Sequence, residues 1–386
     1  MFCYPHDLGV AELQTFLYKL TAWSIALWLS VLIFRCFWLP SLLILISSCA
    51  SDGPAPSPSN ALAVFPEAET VPVNSGDDAA DDPAIWLNPS DPLKSLIIGT
   101  DKQAGIEVYN LAGQRQQFVA AGRTNNVDLR YLKHSRWSAL AAASNRSSNS
   151  VSLFAVDFDG ELFWLQGSEI ATGLTEPYGL CMYDDNQALF VFVNDTDGSY
   201  QQWRLNDTGR PDSPDPISFD AELMREFSVP SQPEGCVADD AYQRLFIGVE
   251  NEGIYALSAD FRAAADLQTV MEIDGSILAA DVEGMSLYAR GAGGYVLVSS
   301  QGNYSYAVFD RLPPHAYRGS FVVLDRPDGR VDGVQETDGL AVTSSFLGPD
   351  YPTGLVVLQD GYNTLPEDTQ NFKFLSWRSI VEALNL

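Results

Sequence analysis

Histidine is scarce in this chain, which has only three: His6, His134 and His315. Two of them remain if the N-terminus is removed. So few imidazole groups disfavour a zinc site with histidine ligands and a catalytic triad built on histidine. Convincing long amphipathic helices are also lacking, whereas aromatic residues make up 11% of the chain and Gly and Pro are abundant. This composition is typical of an all-β protein with many turns.

Basic residues are the second shortage, since 22 Lys and Arg stand against 50 Asp and Glu, giving a net charge of −28. Nothing in this balance offsets the repulsion of a phosphate backbone, so we predict no nucleic-acid partner. The acid excess has two explanations. It keeps the protein soluble, or it binds a hard cation such as Ca²⁺, which takes carboxylate and carbonyl oxygens. These explanations differ in where the acids should lie.

Cysteine is rare as well: of five residues, Cys3, Cys36 and Cys49 lie in the N-terminal segment. Cys181 and Cys236 remain for the folded part of the chain. In an exported protein these two could form a disulfide. Two buried free thiols explain the sequence equally well.

Residues 1–49 are predicted to be an export segment rather than part of the fold. The stretch 21–46 is nearly all apolar apart from Arg35, and small residues follow it, as in a secretory signal. Its end, ISSC with Cys49, resembles the bacterial lipobox, in which the cysteine is lipidated. A plain secretory signal and a retained membrane helix are the alternatives. We expect a periplasmic or outer-membrane lipoprotein, or a secreted protein, and residues 50–66 predict a Pro/Ser-rich linker without a core.

Six segments share one pattern, in which an apolar run is followed by a polar turn and a second strand. They begin at Leu96, Leu140, Leu189, Leu245, Tyr295 and Gly354, and another short strand precedes each of them. A repeat of about fifty residues with closely spaced strands is typical of propeller blades. We therefore predict an all-β domain, residues 67–386, folded as a six-bladed β-propeller. A β-sandwich is the alternative fold, and a monomer is the expected state.

Acidic residues occupy matching places in these repeats. The stretch GDDAADDPAIWLNP, residues 76–89, puts four aspartates at the start of an apolar strand. Because the innermost strands of a propeller line its central channel, matching residues should meet at one mouth of that channel. The matching acids are Asp82, Glu234, Glu283 and Asp338, with Glu250, Asp281 and Asp332 nearby. Converging carboxylates stay ionised only beside a cation, so we predict several Ca²⁺ ions.

Three further residues share a place in the repeats and point to an anion. Lys102 and Arg146 follow the first apolar runs of repeats one and two, and Tyr178 replaces an acid in repeat three. Lysine offers phosphate a point charge, and arginine offers it a bidentate fork. Taken singly, each residue is more simply explained as a surface lysine, an exposed arginine or a core tyrosine. Their common position favours a phosphate-rich ligand.

Eight motifs then follow one another along the chain, from about Asp78 to Trp377. They are DDPAIWLNP, NNVDLRY, AAASNRS, SQPEGCVADD, DVEGMSLY, SSQGNYSYAVFDR, TDGLAV and QNFKFLSW. Together they resemble the bacterial β-propeller (alkaline) phytases. The resemblance implies a six-bladed propeller that binds calcium and hydrolyses phytate, myo-inositol hexakisphosphate, or its calcium complex. It implies a 3-phytase, a phosphoric monoester hydrolase.

The resemblance also implies roles for individual residues. Phosphate contacts at the cleavage site fall on Lys102, Arg146 and Tyr178. Ligands of the catalytic calcium ions fall on Glu234, Glu250, Asp281, Glu283 and Asp338, with Asp332 as a further ligand, and Glu234, Asp281 and Glu283 count as catalytic. Ligands of catalytic or structural calcium ions fall on Glu69, Asp81, Asp82, Asn125 and the carbonyl of Val127.

One residue departs from the pattern of the family, because Thr196 stands where a phosphate-binding lysine is expected. The expected reaction is direct attack by water. It agrees with the absence of an Arg-His-Gly signature and of a cysteine in a His-Cys-x5-Arg loop. The alternatives are a non-catalytic calcium-binding surface propeller and a metal-dependent lactonase or esterase, although the latter needs fewer cations beside the metal.

Overall fold

The computed structural model describes residues 60–133, 136–209 and 217–386. The predicted export segment therefore lies outside the described residues. The chain forms two compact units, and the second, Ala55–Leu386, contains every described residue. In this unit, six small β-sheets are arranged as a six-bladed β-propeller, which confirms the predicted fold. The β-sandwich alternative is wrong.

Two short N-terminal strands, β1 (Leu62–Val64) and β2 (Ala68–Glu69), join the last two blades and are described with them. Blade 1 contains β3 (Ala80–Trp86), β4 (Leu96–Asp101), β5 (Gly105–Asn110) and β6 (Arg115–Val119). Blade 2 contains β7 (Thr124–Tyr131), β8 (Ala139–Asn145), β9 (Ser150–Val156), β10 (Leu162–Trp164) and β11 (Ile170–Ala171). Blade 3 contains β12 (Pro177–Asp184), β13 (Leu189–Asp195), β14 (Ser199–Asp207) and β15 (Phe219–Ser228).

The second half of the propeller repeats this order. Blade 4 contains β16 (Pro233–Asp239), β17 (Arg244–Val249), β18 (Gly253–Ser258) and β19 (Gln268–Glu272). Blade 5 contains β20 (Val282–Arg290), β21 (Gly293–Ser300), β22 (Ser305–Asp310) and β23 (Tyr317–Val323). Blade 6 contains β24 (Leu340–Thr343), β25 (Leu355–Asp360) and β26 (Asn371–Ser376). Two 3-10 turns, Pro92–Lys94 and Gln301–Asn303, and one helix, α1 (Trp377–Leu384), complete the described structure.

Hydrophobic burial is divided among the blade interfaces. Six separate core clusters lie one between each pair of neighbouring blades, including the pair formed by blades 6 and 1. The second strands are buried on both faces for this reason, and their apolar runs, such as LFVFVND in β13, are nearly continuous. The inner strands β3, β7, β12, β16, β20 and β24 contact one another in sequence and close a ring. They surround a channel cavity of about 430 Å³.

The N-terminal strands close the propeller. Strand β2 pairs with β26 and becomes the outer strand of blade 6, while β1 pairs in parallel with β23 of blade 5. The predicted linker therefore ends earlier than expected, because its residues Leu62–Val64 already form a paired strand with Val64 buried. At the other end of the chain, Trp377 in α1 stacks on Tyr288 with ring centroids 4.0 Å apart. Within the described ranges, no helix combines the length and the apolar character that crossing a membrane requires.

Candidate functional site

Five of the six inner strands contain a β-bulge close to their first residue. The bulged pairs are Asp81–Asp82, Asn125–Asn126, Tyr178–Gly179, Glu234–Gly235 and Glu283–Gly284, and Asp338–Gly339 directly precede the sixth inner strand. A bulge changes the direction of a side chain relative to the regular strand. These pairs therefore define equivalent positions in the six blades, and Asp81 rather than Asp82 corresponds to Glu234.

Four of the six pairs contain a glycine, and close packing against the next blade requires it. A β-carbon on Gly179 would lie 1.9 Å from the carbonyl oxygen of Glu234, and one on Gly235 would lie 2.1 Å from that of Glu283. A β-carbon on Gly284 would lie 2.7 Å from the carbonyl oxygen of Asp338, and one on Gly339 would lie 2.5 Å from the α-carbon of Asp82. The glycines let the inner strands approach closely, and this close approach brings the preceding side chains together at the channel mouth.

Five buried carboxylates form two adjoining groups at this mouth. Oxygen atoms of Asp81, Glu234 and Asp338 lie within 4.8 Å of one another, and so do those of Glu234, Glu250 and Glu283. Glu234 belongs to both groups. These carboxylates come from blades 1, 4, 5 and 6, so only closure of the propeller assembles them.

Several oxygens of this cluster are buried without a hydrogen-bond donor. They are Oδ2 of Asp81, Oδ1 of Asn125 and Oε2 of Glu283. The amide nitrogen of Asn125 donates to Glu234 at 3.1 Å, which leaves its carbonyl oxygen free as an acceptor. Buried acceptors normally have a partner, and Ca²⁺ prefers six to eight oxygen ligands of this kind. The residues present therefore fit a hard divalent cation.

Burial and mutual repulsion also explain how these carboxyl groups would titrate. Burial raises the pKa of Glu250 from 4.5 to about 7, and it raises that of Asp81 from 3.8 to about 6. The pKa values of Glu283 and Asp338 lie well above their ordinary range, first because of burial and then because of neighbouring carboxylates. Without a cation the cluster would hold protons near neutral pH.

Lys102 is the one basic side chain in direct contact with this cluster among the described residues. Its ammonium group lies 2.8 Å from Asp78, 3.3 Å from Asp81 and 3.2 Å from Asp338. Burial by itself lowers the pKa of Lys102, but these acids outweigh that effect and raise it. The lysine therefore stays charged and offsets only part of the negative charge of the cluster.

Arg146 lies beside the cluster with few partners of its own. Its side chain is 14% exposed and reaches Glu176 only at 3.5 Å, while its Nε has no hydrogen-bond acceptor. Its guanidinium carbon stands 5.7 Å from the centre of the Tyr178 ring. The negative charge of Glu234 in turn lies close enough to Tyr178 to raise the pKa of its hydroxyl. The side chains of Arg146 and Tyr178 thus bring hydrogen-bond donors to one side of the carboxylate cluster.

The residue after each second strand is equivalent in all six blades. These residues are Lys102, Arg146, Thr196, Glu250, Gln301 and Gly361. Five of them donate a backbone hydrogen bond to the segment just before the bulge position of their own blade. Charge at this position therefore differs around the mouth: blades 1 and 2 carry cations, and blade 4 carries a carboxylate. Thr196 stands at the same place as the two cations.

Not every predicted ligand joins the cluster. Asp82 accepts a hydrogen bond from the backbone nitrogen of Val127 at 3.0 Å, so these two residues link blades 1 and 2. Asp281 is half-buried and precedes the bulge of blade 5, and burial raises its pKa. Glu69 and Asp332 lie beside a basic side chain of the protein, Lys373. Both contact the fully buried ammonium group of Lys373, which also lies 3.2 Å from Asp360.

Some contacts at the mouth were missed by sequence reasoning. Asp78 pairs with Lys102, and Glu176 pairs with Arg146. The period-two alternation of a strand could have indicated Glu176, because it precedes Tyr178 by two residues. The alternatives for the cysteines are resolved, since Cys181 and Cys236 form a disulfide. It joins the inner strands of blades 3 and 4 just beyond Tyr178 and Glu234.

Comparison with known proteins agrees with this architecture. The model of the phytase family matches residues 38–386. The chain belongs to the phytase family. It is 39% identical over 328 residues to the 3-phytase of Bacillus subtilis (strain 168), covering 82% of this chain and 84% of that protein. The predicted family and the prediction that the chain is an enzyme, a phytase, are confirmed.

Solved structures show more distant likenesses. A functionally unknown protein from Desulfotomaculum acetoxidans superposes with a TM-score of 0.44 and 15% identity, over 65% of this chain and 74% of that one. The β-propeller domain of Cps50 (Swd1) from Myceliophteria thermophila gives 0.43 and 10%, over 77% of this chain and 83% of that one. Likenesses this distant say nothing about chemistry.

Proposed function

We propose that this phytase is a calcium-dependent phosphomonoesterase that hydrolyses phytate by direct attack of water and releases orthophosphate. The proposal rests on the two clusters of carboxylates, which have Glu234 in common and have Lys102 and Arg146 at their edge. Carboxylates alone would repel a phosphate ester. Calcium ions held by these carboxylates would remove that repulsion, so metal binding and substrate binding would belong to one site.

The ligands of these ions are the buried carboxylates. Asp81, Glu234 and Asp338 would hold one ion, and Glu234, Glu250 and Glu283 would hold another. The carbonyl oxygen of Asn125 is a free acceptor beside them. When bound, calcium supplies positive charge that offsets phosphate oxygens and makes a water molecule more acidic. Calcium is a weaker Lewis acid than zinc, so we expect activity at neutral to alkaline pH.

The other contributions come from side chains of the protein. Arg146 would donate two hydrogen bonds to phosphate oxygens, since the 3.5 Å contact with Glu176 is the one ion pair that its guanidinium group makes within the described ranges. Lys102 adds a second positive charge from the neighbouring blade, and its contacts with Asp81 and Asp338 hold it in place. Both stabilise the negative charge that grows on the equatorial oxygens in the transition state.

The alternative of a non-catalytic calcium propeller does not account for Arg146. A purely structural metal site needs carboxylates, and an arginine with a buried, unpaired Nε beside it would only weaken calcium binding. The same group is useful where an anion must be bound next to the metal. The relative from Bacillus subtilis is named a 3-phytase, and we extend that activity to this chain.

Titration of phytate hydrolysis with Ca²⁺ tests the proposal. Phosphate release should be absent in EDTA, should return as Ca²⁺ is added, and should be lost in a Glu234→Gln variant at the same calcium concentration. The melting temperature should fall in EDTA in parallel, because a ligand held at 100 times its Kd contributes about 2.7 kcal/mol to stability. Full activity of the metal-free protein on phytate would refute the calcium mechanism.

We also propose that the protein is exported, as a secreted, periplasmic or lipid-anchored outer-membrane protein. The disulfide between Cys181 and Cys236 supports this, because disulfides persist in oxidising compartments and are rare in the cytosol. Labelling of Cys49 with a fatty acid analogue, compared with a Cys49→Ser variant, tests the lipid anchor. Absence of label in the wild type would exclude the lipid anchor and leave a plain secretory signal and a retained membrane helix as the alternatives.

A further inference from the structure

In the described part of the chain, one covalent bond crosses between neighbouring inner strands: the disulfide of Cys181 and Cys236. Cys181 lies in β12 of blade 3, and Cys236 lies in β16 of blade 4. These two strands belong to separate sheets and share no ladder of hydrogen bonds. Elsewhere in the described ranges, neighbouring inner strands are held by noncovalent contacts, such as the hydrogen bond from Val127 to Asp82. The interface of blades 3 and 4 is therefore restrained in a way that the other interfaces are not.

The disulfide lies close to the carboxylate that both acid groups share. Glu234 precedes Cys236 by two residues in β16, and Tyr178 precedes Cys181 by three residues in β12. Oxygen atoms of Glu234 belong to the group with Asp81 and Asp338 and also to the group with Glu250 and Glu283. A movement of the mouth end of β16 would therefore displace a ligand from both groups at once.

Noncovalent contacts near the mouth resist the approach of β12 and β16 better than they resist separation. A β-carbon on Gly179 would lie 1.9 Å from the carbonyl oxygen of Glu234, so the two strands are already packed as closely as possible. Asn194 donates to the same carbonyl oxygen at 3.4 Å, which is a long hydrogen bond. The carboxylates of the cluster repel one another before a cation binds, and this repulsion favours separation. The disulfide opposes it from within the apolar core between blades 3 and 4.

We propose that the disulfide between Cys181 and Cys236 positions Glu234 for calcium binding. The proposal rests on the proposed function and adds two buried positioning residues to it. With the bond closed, β16 stays beside β12 while the carboxylates still lack a cation, so the ion meets a preformed site. With the bond open, the ion must first draw the strands together, and its affinity falls. Full calcium affinity then depends on disulfide formation, which belongs to oxidising compartments.

Calcium titration without substrate compares the wild type with Cys181→Ala/Cys236→Ala. The dissociation constant for Ca²⁺ should rise about tenfold in the variant, as for other residues that hold a metal ligand in place. Leu257→Ala is the control, because Leu257 is buried in the same core cluster and pairs with Leu245, at the end of blade 4 distant from the mouth. This control should lower the melting temperature in EDTA at least as far and leave the calcium affinity unchanged.

A double-mutant cycle shows whether the disulfide acts through Glu234. In a Glu234→Gln background, opening the disulfide should weaken calcium binding by no more than about twofold further, because the ligand that it positions is already gone. In an Asp338→Asn background, the loss should stay near tenfold, since Asp338 belongs to blade 6 and does not move with β16. A role of the disulfide in general stability would give the same loss in both backgrounds.

Reduction of the wild-type protein is a second route to the open form. A dithiol such as dithiothreitol gives two electrons and two protons to the S–S bond, which breaks into the thiols of Cys181 and Cys236, while the dithiol closes its own disulfide ring. Both cysteines are buried, so the reduction is carried out in EDTA and verified by counting thiols before calcium is added. The reduced protein should bind Ca²⁺ about tenfold more weakly and regain its affinity on reoxidation.

The remaining outcomes each refute a defined statement. Equal calcium affinity with the bond open and closed would overturn the proposal. An equal loss in Leu257→Ala would trace the effect to general stability, and a full further loss in the Glu234→Gln background would show that the disulfide does not act through Glu234. If neither open form folds, the disulfide serves the whole fold, and a specific positioning role is refuted. A wild-type protein that binds no calcium would instead overturn the proposed function.

Discussion

Gly235 of blade 4 faces the carbonyl oxygen of Glu283 in blade 5 so closely that a β-carbon would lie 2.1 Å from it. The contact joins residues that are far apart in the chain and sets the distance between two inner strands. It also sets the separation of Glu234 and Glu283, because Glu234 is next to Gly235 and Glu283 is itself part of the contact. Packing and metal binding therefore depend on the same glycine.

Gly235→Ala should push β16 and β20 apart. Because the backbone atoms of Glu283 and Gly284 cannot move aside easily, we expect a loss of roughly 1–3 kcal/mol in the free energy of unfolding. Calcium affinity should fall with it, because the carboxylates move apart. Denaturant unfolding and a calcium titration measure the two effects. Gly293→Ala is the control, since its nearest neighbour would be 3.9 Å away. Two variants of equal stability would contradict the argument.

The metal-free protein should lose stability as pH rises from about 4 to about 7. The folded-state pKa of Glu250 is about 7 and that of Asp81 about 6, above ordinary values of 4.5 and 3.8. The folded state therefore binds more protons in this range, and deprotonation favours unfolding. Melting temperatures in EDTA at several pH values measure the slope. Glu250→Gln should reduce it and saturating Ca²⁺ should abolish it, whereas stability that rises with pH in EDTA would refute this assignment.

Arg146→Ala should slow catalysis far more than it destabilises the fold. Among the described residues, Glu176 at 3.5 Å is the one acid that Arg146 contacts, so its removal costs little native stabilisation. We expect kcat on phytate to fall by about 10²–10³, the range for removing one transition-state donor. The melting temperature should stay near that of Arg330→Ala, in which the altered side chain is 79% exposed. An unchanged kcat would exclude Arg146 from the site.

Thr196→Lys should strengthen substrate binding, because it places a third cation at a position equivalent to Lys102 and Arg146. KM for phytate should fall about fivefold to tenfold if the new ammonium group makes one charged hydrogen bond. Gln187→Lys adds the same charge at the opposite end of blade 3 and serves as the control. If both variants lower KM equally, the gain reflects net charge and not the position of residue 196.

Lys373→Met should leave Glu69, Asp332 and Asp360 facing one another without a cation. Removing one partner of a buried ion pair costs roughly 3–5 kcal/mol, and here three carboxylates lose their partner. Denaturant unfolding measures the loss. If excess Ca²⁺ restores stability to the variant but does not affect this region in the wild type, Lys373 occupies the place of an ion. If Lys373→Met leaves the free energy of unfolding unchanged, the three acids are protonated in the native state.

Much of the candidate site could be predicted from the sequence. Acids at matching places in the repeats indicated Glu234, Glu283 and Asp338, and Lys102 and Arg146 share a place after the first apolar runs of two repeats. The structure brings all of these side chains to one mouth of the channel. Their roles in metal and phosphate binding remain predictions, as do the lipid anchor and the calcium ions themselves.

Other parts of the site could not be predicted from the sequence. A bulge shifts the register by one residue, so the aspartate equivalent to Glu234 is Asp81, although Asp82 precedes the apolar run more closely. Glu69 and Asp332 carry the residue types of calcium ligands, yet they contact Lys373, which is distant in sequence. No local pattern in the sequence indicates that Lys373 is their partner.

The sequence by itself determined the repeat, the fold class and the chemical types available at each blade, because strand alternation and turn residues act over a few positions. Only the tertiary structure decided which carboxylates lie together in one cluster, which of them face a lysine, and that Cys181 pairs with Cys236. These outcomes depend on contacts between blades. Such contacts are fixed by how closely the inner strands pack around the channel, a distance that no local pattern of residues encodes.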